Sequence, residues 1–221
     1  MCGRFNLYSS IEDLLERFDL INWEMIELSP RYNIAPSQEV LAIVEGESGH
    51  RGGFLRWGLV PAWANDPKIG YKMINARAET IDEKPSFKSL LARRRCLIIA
   101  DGFYEWKKEG NRKTPYHIYL KDRQPFAFAG LWDRWNQDGE MIQSCTIITT
   151  EANELMKDIH DRMPVILTKE SQKVWLDRSL QDEKQLKSLL VPFAPTLMEA
   201  YTISEIVNSP KNEGAEILNS L

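Results

Sequence analysis

Strand-like segments joined by short turns are the feature that most constrains the fold of this chain. Two pairs of such segments are visible, residues 103–107 with 116–120 and residues 126–135 with 141–149. The first pair flanks a turn at 109–112, and the second flanks Asp138-Gly139, a dipeptide typical of tight hairpins. We therefore expect an α+β fold with a mainly antiparallel, barrel-like sheet as its core and short helices around it.

The remaining segments are assigned from apolar periodicity and from turn residues. Ser10 is expected to cap a helix whose apolar positions are Ile11, Leu14, Leu15 and Phe18, and Thr150 to cap one with Ala152, Leu155, Met156 and Ile159. Further helices are predicted at 86–92, 170–177 and 181–190, strands at 39–45, 73–80 and 96–100, a turn at 46–53, and irregular chain at 31–36, 56–63 and 65–71.

Composition narrows the class of protein. The 221 residues are 43% hydrophobic, enough to bury a core, and we expect one domain over residues 1–221. No apolar run approaches the roughly 18 residues of a membrane span, and no signal segment is visible, so we expect a cytoplasmic monomer without membrane contact. Cys2, Cys96 and Cys145 are too few for a disulfide framework or a metal site, so no metal and no cofactor are expected. Cys96 and Cys145 lie in apolar runs and are interpreted as core residues.

Charge is distributed unevenly along the chain. The net charge is −4, yet residues 51–123 hold 16 Lys and Arg against 8 Asp and Glu, and the rest holds 12 against 24. A basic middle segment can face phosphate groups, although a solvated charged surface explains the same numbers.

The N-terminus carries the most distinctive chemistry. If Met1 is removed, Cys2 presents a thiol and a free α-amine on adjacent carbons. Such an aminothiol attacks an aldehyde with nitrogen to give an imine and then closes with sulfur to a thiazolidine ring. An internal cysteine cannot do this, because its nitrogen belongs to an amide. A cysteine at position 2 is equally compatible with an ordinary frayed terminus.

Three further polar residues are candidates for chemistry, and each also has a plain structural explanation. Alternation in 73–80 places Asn75, Arg77 and Glu79 on one strand face, which usually means exposure to solvent. Glu105 shares a face with Phe103, where loss of solvation suits a carboxyl group to general acid chemistry. His160 follows a predicted helix, where it can also serve only to complement the helix dipole.

Six ordered motifs resemble those of one known family. They are Met1-Cys2-Gly3-Arg4-Phe5, Arg31-Tyr32-Asn33-Ile34-Ala35-Pro36, Trp57-Gly58-Leu59-Val60-Pro61-Ala62-Trp63, Asn75-Ala76-Arg77-Ala78-Glu79-Thr80, Asp101-Gly102-Phe103-Tyr104-Glu105-Trp106 and His160-Asp161-Arg162-Met163-Pro164. On these motifs the chain is identified as resembling the SOS-response-associated peptidase (SRAP) family, nearly end to end.

The resemblance implies a function in DNA damage, namely covalent capture of abasic sites in single-stranded DNA as a DNA–protein crosslink. It implies that processed Cys2 forms a thiazolidine with the ring-opened sugar. It further implies that Asn75 holds the sugar, Glu105 transfers protons, and His160 assists ring opening and governs reversal. The resemblance also implies DNA contacts at six residues of these motifs and at Phe87, which lies outside them. The six are Arg4, Asn33, Pro36, Trp63, Arg77 and Arg162.

Two other functions remain open from the sequence. A peptidase or autopeptidase would use the same Cys2 as nucleophile on an amide, with an α-amine as base. A non-covalent binder of single-stranded DNA would need only the basic segment and the aromatic residues.

Overall fold

The computed structural model describes residues 2–18, 22–137 and 139–221. In chain order its strands are β1 (Phe5–Leu7), β2 (Arg31–Ile34), β3 (Glu39–Glu45), β4 (His50–Trp57), β5 (Asn75–Arg77), β6 (Arg95–Ala100), β7 (Gly102–Glu109), β8 (Arg112–Leu120), β9 (Phe126–Gln137), β10 (Glu140–Glu151), β11 (Arg162–Pro164), β12 (Ile166–Leu167) and β13 (Met198–Thr202). The α-helices are α1 (Ile11–Arg17), α2 (Pro85–Arg93), α3 (Glu154–Lys157), α4 (Lys169–Leu176) and α5 (Glu183–Ser188).

Two sheets make up the core, which confirms the barrel-like α+β prediction. One sheet has the order β13-β8-β7-β1-β2 and is antiparallel throughout. In the other, β10-β4-β3-β6-β9 closes on itself because β9 also pairs with β10. Most pairings are antiparallel, and β10 is parallel to both β4 and β5.

Closure of the barrel depends on close approach at β9. Gly130 pairs with Cys96 of β6 on one side and with Ile147 of β10 on the other. A Cβ at this position would lie 2.9 Å from the Cys96 sulfur and 3.1 Å from the carbonyl oxygen of Thr146, closer than side chains pack. Cys96 and Cys145 are fully buried here, as predicted.

The N-terminal strand is an interior strand of its sheet. β1 lies between β2 and β7, with Phe5 opposite Ile34 on one side and Phe103 on the other. The Phe5 ring is fully buried and contacts the rings of Trp57 and Phe128 at centroid distances of 5.2 and 5.7 Å. β1 is therefore fixed by two neighbouring strands and by the core.

Several local assignments were wrong because long-range contacts decide them. Residues 31–34, predicted irregular, form β2 because β1 offers a pairing edge. The predicted turn at 46–53 ends early, since β4 begins at His50 and runs to Trp57. Gly52, which lies within the predicted turn, exchanges hydrogen bonds of 2.8 and 2.9 Å with the Asn22 side chain.

Three further segments differ from the structure predicted for them. The strand predicted at 73–80 is limited to β5, and a 3₁₀ helix follows at Ala78–Thr80. The helix predicted from Thr150 starts later, because β10 continues to Glu151 to pair with β11. Asn153 caps α3 instead, accepting a 3.0 Å hydrogen bond from the Met156 amide. The loop predicted at 65–71 contains a 3₁₀ helix, Pro67–Lys72.

The hairpins predicted around 109–112 and 138–139 are confirmed by the pairs Glu109–Arg112 and Gln137–Glu140. Asp138 itself lies outside the described residues. Within the described ranges, no helix has the length and apolar character needed to cross a membrane.

A buried polar network joins β1 to the rest of its sheet. Asn6 donates from Nδ2 to the Tyr104 hydroxyl at 2.7 Å and lies 3.0 Å from Nε2 of His117. The Tyr201 hydroxyl donates to the Leu218 carbonyl, so its contact with Nδ1 of His117 requires a proton on that nitrogen. His117 is thus a neutral imidazole with one defined tautomer. Gly102 gives it room, since a Cβ there would overlap Nε2.

Acid should destabilise the fold through His117. Burial, with a smaller contribution from the charge of Arg123, lowers the pKa of His117 to about 3. In the unfolded chain the imidazole titrates near its ordinary value of about 6.5. Between these values the unfolded state binds one more proton, so the unfolding free energy should fall by about 1.4 kcal/mol per pH unit as pH drops.

Chemical unfolding of the wild type and of His117→Gln from neutral pH to about pH 4 tests this. The variant should show a slope shallower by up to one proton. Parallel slopes in the two proteins would contradict the assignment.

Candidate active site

Cys2 lies three residues before β1, close enough to Glu105 for the charge of that carboxyl group to act on its thiol. The Tyr104 amide donates to the Arg4 carbonyl at 2.9 Å, and Phe5 pairs with Phe103. Continuing this antiparallel register by two residues sets Gly3 opposite Glu105. Cys2 is fully buried, and Glu105 is only 3% exposed.

Burial and charge keep the Cys2 thiol protonated. Burial raises the pKa of this thiol well above its usual range, and the negative charge of Glu105 raises it further. A reaction at sulfur therefore needs a group that accepts the thiol proton as the new bond forms. The carboxylate that raises the pKa is also the neighbouring group able to accept that proton.

The Asn75 side chain is oriented by the carbonyl oxygen of Ile74. That oxygen accepts from the Ile147 amide at 3.1 Å, from the indole nitrogen of Trp57 at 2.9 Å and from Nδ2 of Asn75 at 3.0 Å. Because the amide nitrogen of Asn75 faces an acceptor, its Oδ1 is turned away. Oδ1 is buried and has no hydrogen-bond partner within the described part of the chain, so it is an acceptor available to a ligand.

Trp57 connects this asparagine to the N-terminal strand. Its ring packs on Phe5, three residues after Cys2, while its indole N–H holds Ile74, the residue before Asn75. Trp57 is itself 1% exposed, so the link lies within the core. No local pattern in the sequence marks Trp57 as a functional residue, although it lies in one of the quoted motifs.

His160 lies at the edge where three strands meet. The carboxyl ends of β5 and β10 and the start of β11 come together there, through the pairs Thr149–Arg77 and Glu151–Arg162. His160 directly precedes this β11 pairing, and its Nδ1 lies 3.0 Å from the Arg162 amide nitrogen and 2.8 Å from Oδ1 of Asp161. With Nδ1 accepting from the amide, the ring is neutral and protonated on Nε2. With Nδ1 protonated, it pairs with Asp161. The side chain, 27% exposed, is thus placed to exchange a proton with solvent or ligand.

Arg162 is held by two neighbours. Its guanidinium makes two hydrogen bonds to the Glu79 carboxylate, at 2.7 and 2.9 Å, and one of 2.8 Å to the Thr149 carbonyl. These bonds from Arg162 are the main reason that the pKa of Glu79 is lowered. A phosphate bound by Arg162 would have to share the guanidinium group with Glu79. Strand alternation in the sequence placed Glu79 on the same face as Asn75 and Arg77.

Arg4 and Asn33 are engaged in a different contact. Asn33 is fully buried, and its Nδ2 donates to the carbonyls of Val207, Ser209 and Asn212. Arg4 donates from Nη1 to Asn33 and to Val207, both at 2.7 Å. Asn33 therefore fixes the C-terminal segment and Arg4, and it does not itself present a surface to a ligand.

The other predicted DNA-facing residues differ in exposure. Trp63 is 60% exposed, and Arg77 is exposed on β5. Pro36 is half-buried, and Phe87 on α2 packs partly against the core. Within the described residues, no group of three or more His, Cys, Asp and Glu side chains is arranged to hold a metal ion.

Removing the charge at position 105 should lower the pKa of the Cys2 thiol. In Glu105→Gln the negative charge that disfavours the thiolate is lost, so Cys2 should ionise at lower pH. Ultraviolet titration of thiolate absorbance measures this, with the titration of Cys2→Ser subtracted to remove Cys96 and Cys145. Glu109→Gln, an exposed position on the same strand, is the matched control and should leave the curve unchanged. An unshifted Cys2 titration in Glu105→Gln would show that the two groups are not coupled.

Known proteins resemble this chain in sequence and in fold. The family model for SOS response associated peptidase (SRAP) matches residues 1–210. The chain is 53% identical over 223 residues to abasic site processing protein YoqW of Bacillus subtilis, covering all of both chains, and 32% identical over 223 residues to abasic site processing protein YedK of Escherichia coli, covering 99% of each. An X-ray crystal structure of a protein from Bacteroides thetaiotaomicron matches with a TM-score of 0.88 and 32% identity, covering all of both chains. The chain belongs to the SRAP family.

Proposed function

We propose that this protein captures abasic sites in single-stranded DNA as a covalent thiazolidine at Cys2, after removal of Met1. The observation that carries the proposal is the burial of Cys2 three residues before the interior strand β1, where the charge of Glu105 acts on its thiol. The names of the relatives, abasic site processing proteins, support the choice of lesion.

The proposed chemistry begins with the sugar. Opening of the abasic hemiacetal moves a proton from the C1′ hydroxyl to the ring oxygen and yields an aldehyde. His160 is proposed to assist this transfer, supported by its partial exposure and by the two protonation states that its neighbours accommodate. Oδ1 of Asn75 is proposed to accept a hydrogen bond from a sugar hydroxyl or from the α-amine.

Bond formation then follows at Cys2. Its α-amine adds to the aldehyde carbon, and the carbinolamine loses water to give an imine. The sulfur adds to the imine carbon while the thiol proton leaves for the nitrogen by way of Glu105. The net change is one C–N bond and one C–S bond formed and one water released. Glu105 donates a proton to the carbinolamine hydroxyl during dehydration and accepts the thiol proton during ring closure. Both steps therefore need an acid–base group close to the reacting carbon and to the sulfur of Cys2.

DNA contact is proposed for the residues around this site. Arg77 and Trp63 are supported by their exposure, one for the phosphate backbone and one for base stacking. Arg4 and Arg162 are proposed as backbone contacts through their guanidinium groups, each of which is already oriented by hydrogen bonds to the protein. Asn33 is proposed to act through Arg4. Pro36 and Phe87 remain predicted contacts.

A peptidase function is less well supported. Cysteine nucleophiles that attack amides are activated by a lowered pKa, whereas burial and Glu105 raise the pKa of Cys2. An aldehyde is attacked first by the amine, so a protonated thiol does not hinder that reaction. Turnover of a peptide library without any reaction with abasic DNA would favour the peptidase.

Crosslinking should depend on the free N-terminal cysteine. A single-stranded oligonucleotide with one abasic site should give a heat-stable adduct whose intact mass equals the two components minus one water. Cys2→Ala and a variant with an uncleaved N-terminal extension should both give no adduct. Cys96→Ala, a buried cysteine away from the terminus, is the control and should react normally. An adduct in Cys2→Ala would refute the thiazolidine.

Loss of the Trp57 donor should slow crosslinking without preventing DNA binding. Trp57→Phe keeps a ring against Phe5 but removes the hydrogen bond to Ile74 that fixes Asn75. One hydrogen bond contributes about 1 kcal/mol, so the single-turnover rate should fall by about fivefold. Trp135→Phe, which loses an indole bond to Ala64, is the matched control. Equal rates in Trp57→Phe and the wild type would exclude the positioning role.

A further inference from the structure

A wide groove on the barrel lies apart from the candidate active site. It has a volume of about 870 Å³ and is bordered by β3, β4, β6, β9 and the segment after α4. None of Cys2, Asn75, Glu105 and His160 lines it. On β10 the groove is bordered by Gln143, while the active-site end of the same strand is marked by Thr149, which pairs with Arg77. Six residues of strand correspond to about 20 Å.

The groove is strongly basic. Six arginines line it, and Arg95 is excluded as a ligand contact because it is buried and bound to the carbonyls of both α2 and the segment ending α4. The five that remain are partly or fully exposed, and none has an ion pair within the described ranges; they are Arg51, Arg93, Arg94, Arg134 and Arg178. Two acidic residues line the groove, and one of them, Glu45, is paired with His50 at 2.9 Å.

Aromatic rings accompany these charges. The Arg94 guanidinium lies over the Trp132 ring, 4.4 Å from its centroid, and both residues line the groove. Phe54 is 41% exposed at the border. Guanidinium groups together with exposed aromatic faces are the combination that binds an unpaired nucleic-acid strand, through phosphates and stacked bases.

We propose that this groove binds the backbone of single-stranded DNA that flanks the lesion. The proposal rests on the proposed function, since it assigns a second contact to the same DNA. The five arginines lie on four separate segments of the chain, so their charges are spread along the groove. Such a distribution suits the successive phosphate groups of a nucleic-acid strand better than one small anion. A strand long enough to cross the roughly 20 Å between the two sites would engage both.

The test uses undamaged DNA, so that it does not depend on crosslinking. Binding of a fluorescent single strand of about 24 nucleotides is measured by anisotropy at several salt concentrations. In Arg51→Gln/Arg134→Gln two phosphate contacts are removed, and the slope of log affinity against log salt should become less steep by about 1.4. Neither side chain holds another part of the described structure, so the fold should be retained, and thermal unfolding checks this.

Two further variants make the result specific. Lys121→Gln/Lys184→Gln removes the same charge at exposed sites outside the groove and should leave the slope unchanged. Arg51→Lys/Arg134→Lys keeps the charge and should restore the slope. The proposal would be overturned by an unchanged slope in Arg51→Gln/Arg134→Gln, or by an equal change of slope in Lys121→Gln/Lys184→Gln. It would also be overturned if inorganic phosphate, at matched ionic strength, displaced the labelled strand as well as an unlabelled strand does.

Crosslinking separates this proposal from the proposed function. In an abasic strand of about 5 nucleotides with the lesion at its centre, the two nucleotides on each side span about 7 Å at roughly 3.4 Å per nucleotide. They do not cross the roughly 20 Å to the groove, so wild type and Arg51→Gln/Arg134→Gln should crosslink this strand equally. Failure of the wild type to crosslink it would reject the proposed function and leave the salt-dependence result standing. A lower rate for the variant on this short strand would place the groove residues in the active site and overturn the second contact.

Discussion

The pairing of β1 between β2 and β7 is the constraint on which the rest of this structure depends. A chain terminus is ordinarily frayed, because few contacts repay the entropy lost when it is ordered. Here two strands, the buried Phe5 ring and the Asn6 network fix it. Cys2 is thereby held at a defined position only three residues from the buried ring, and the charge of Glu105 acts on its thiol.

The Asn75 side chain is also held in place by a few specific contacts. One backbone carbonyl, that of Ile74, receives a strand hydrogen bond, an indole N–H and a side-chain amide. Three donors on one oxygen leave the Asn75 amide little freedom to turn. A short strand of three residues can thus present a side-chain oxygen with defined direction, although such a strand has few hydrogen bonds of its own.

Arginines that are adjacent in sequence have different environments in this fold. Arg93 is exposed at the end of α2, Arg94 lies over Trp132, and Arg95 is buried among backbone carbonyls at two helix ends. Burial of Arg95 lowers its pKa, and its hydrogen bonds compensate for the lost solvation. Charge counted along the chain therefore overstates what a ligand can reach, while the groove collects arginines such as Arg134 and Arg178 from outside the basic segment.

The sequence by itself determined the fold class, both hairpins and the motif residues of the SRAP family, because these follow from local alternation, turn chemistry and residue identity. It also indicated a buried Glu105, since alternation put that residue on the face of Phe103. It failed at 31–34, at Gly52 and after Thr150, where a distant strand or side chain supplies the hydrogen bonds that decide the local conformation. Only the tertiary structure decided that Asn33 is buried, that Glu79 holds Arg162 and that Trp57 orients Asn75. Each of these is a contact between residues far apart in the chain, and no local pattern records which partners the fold brings together.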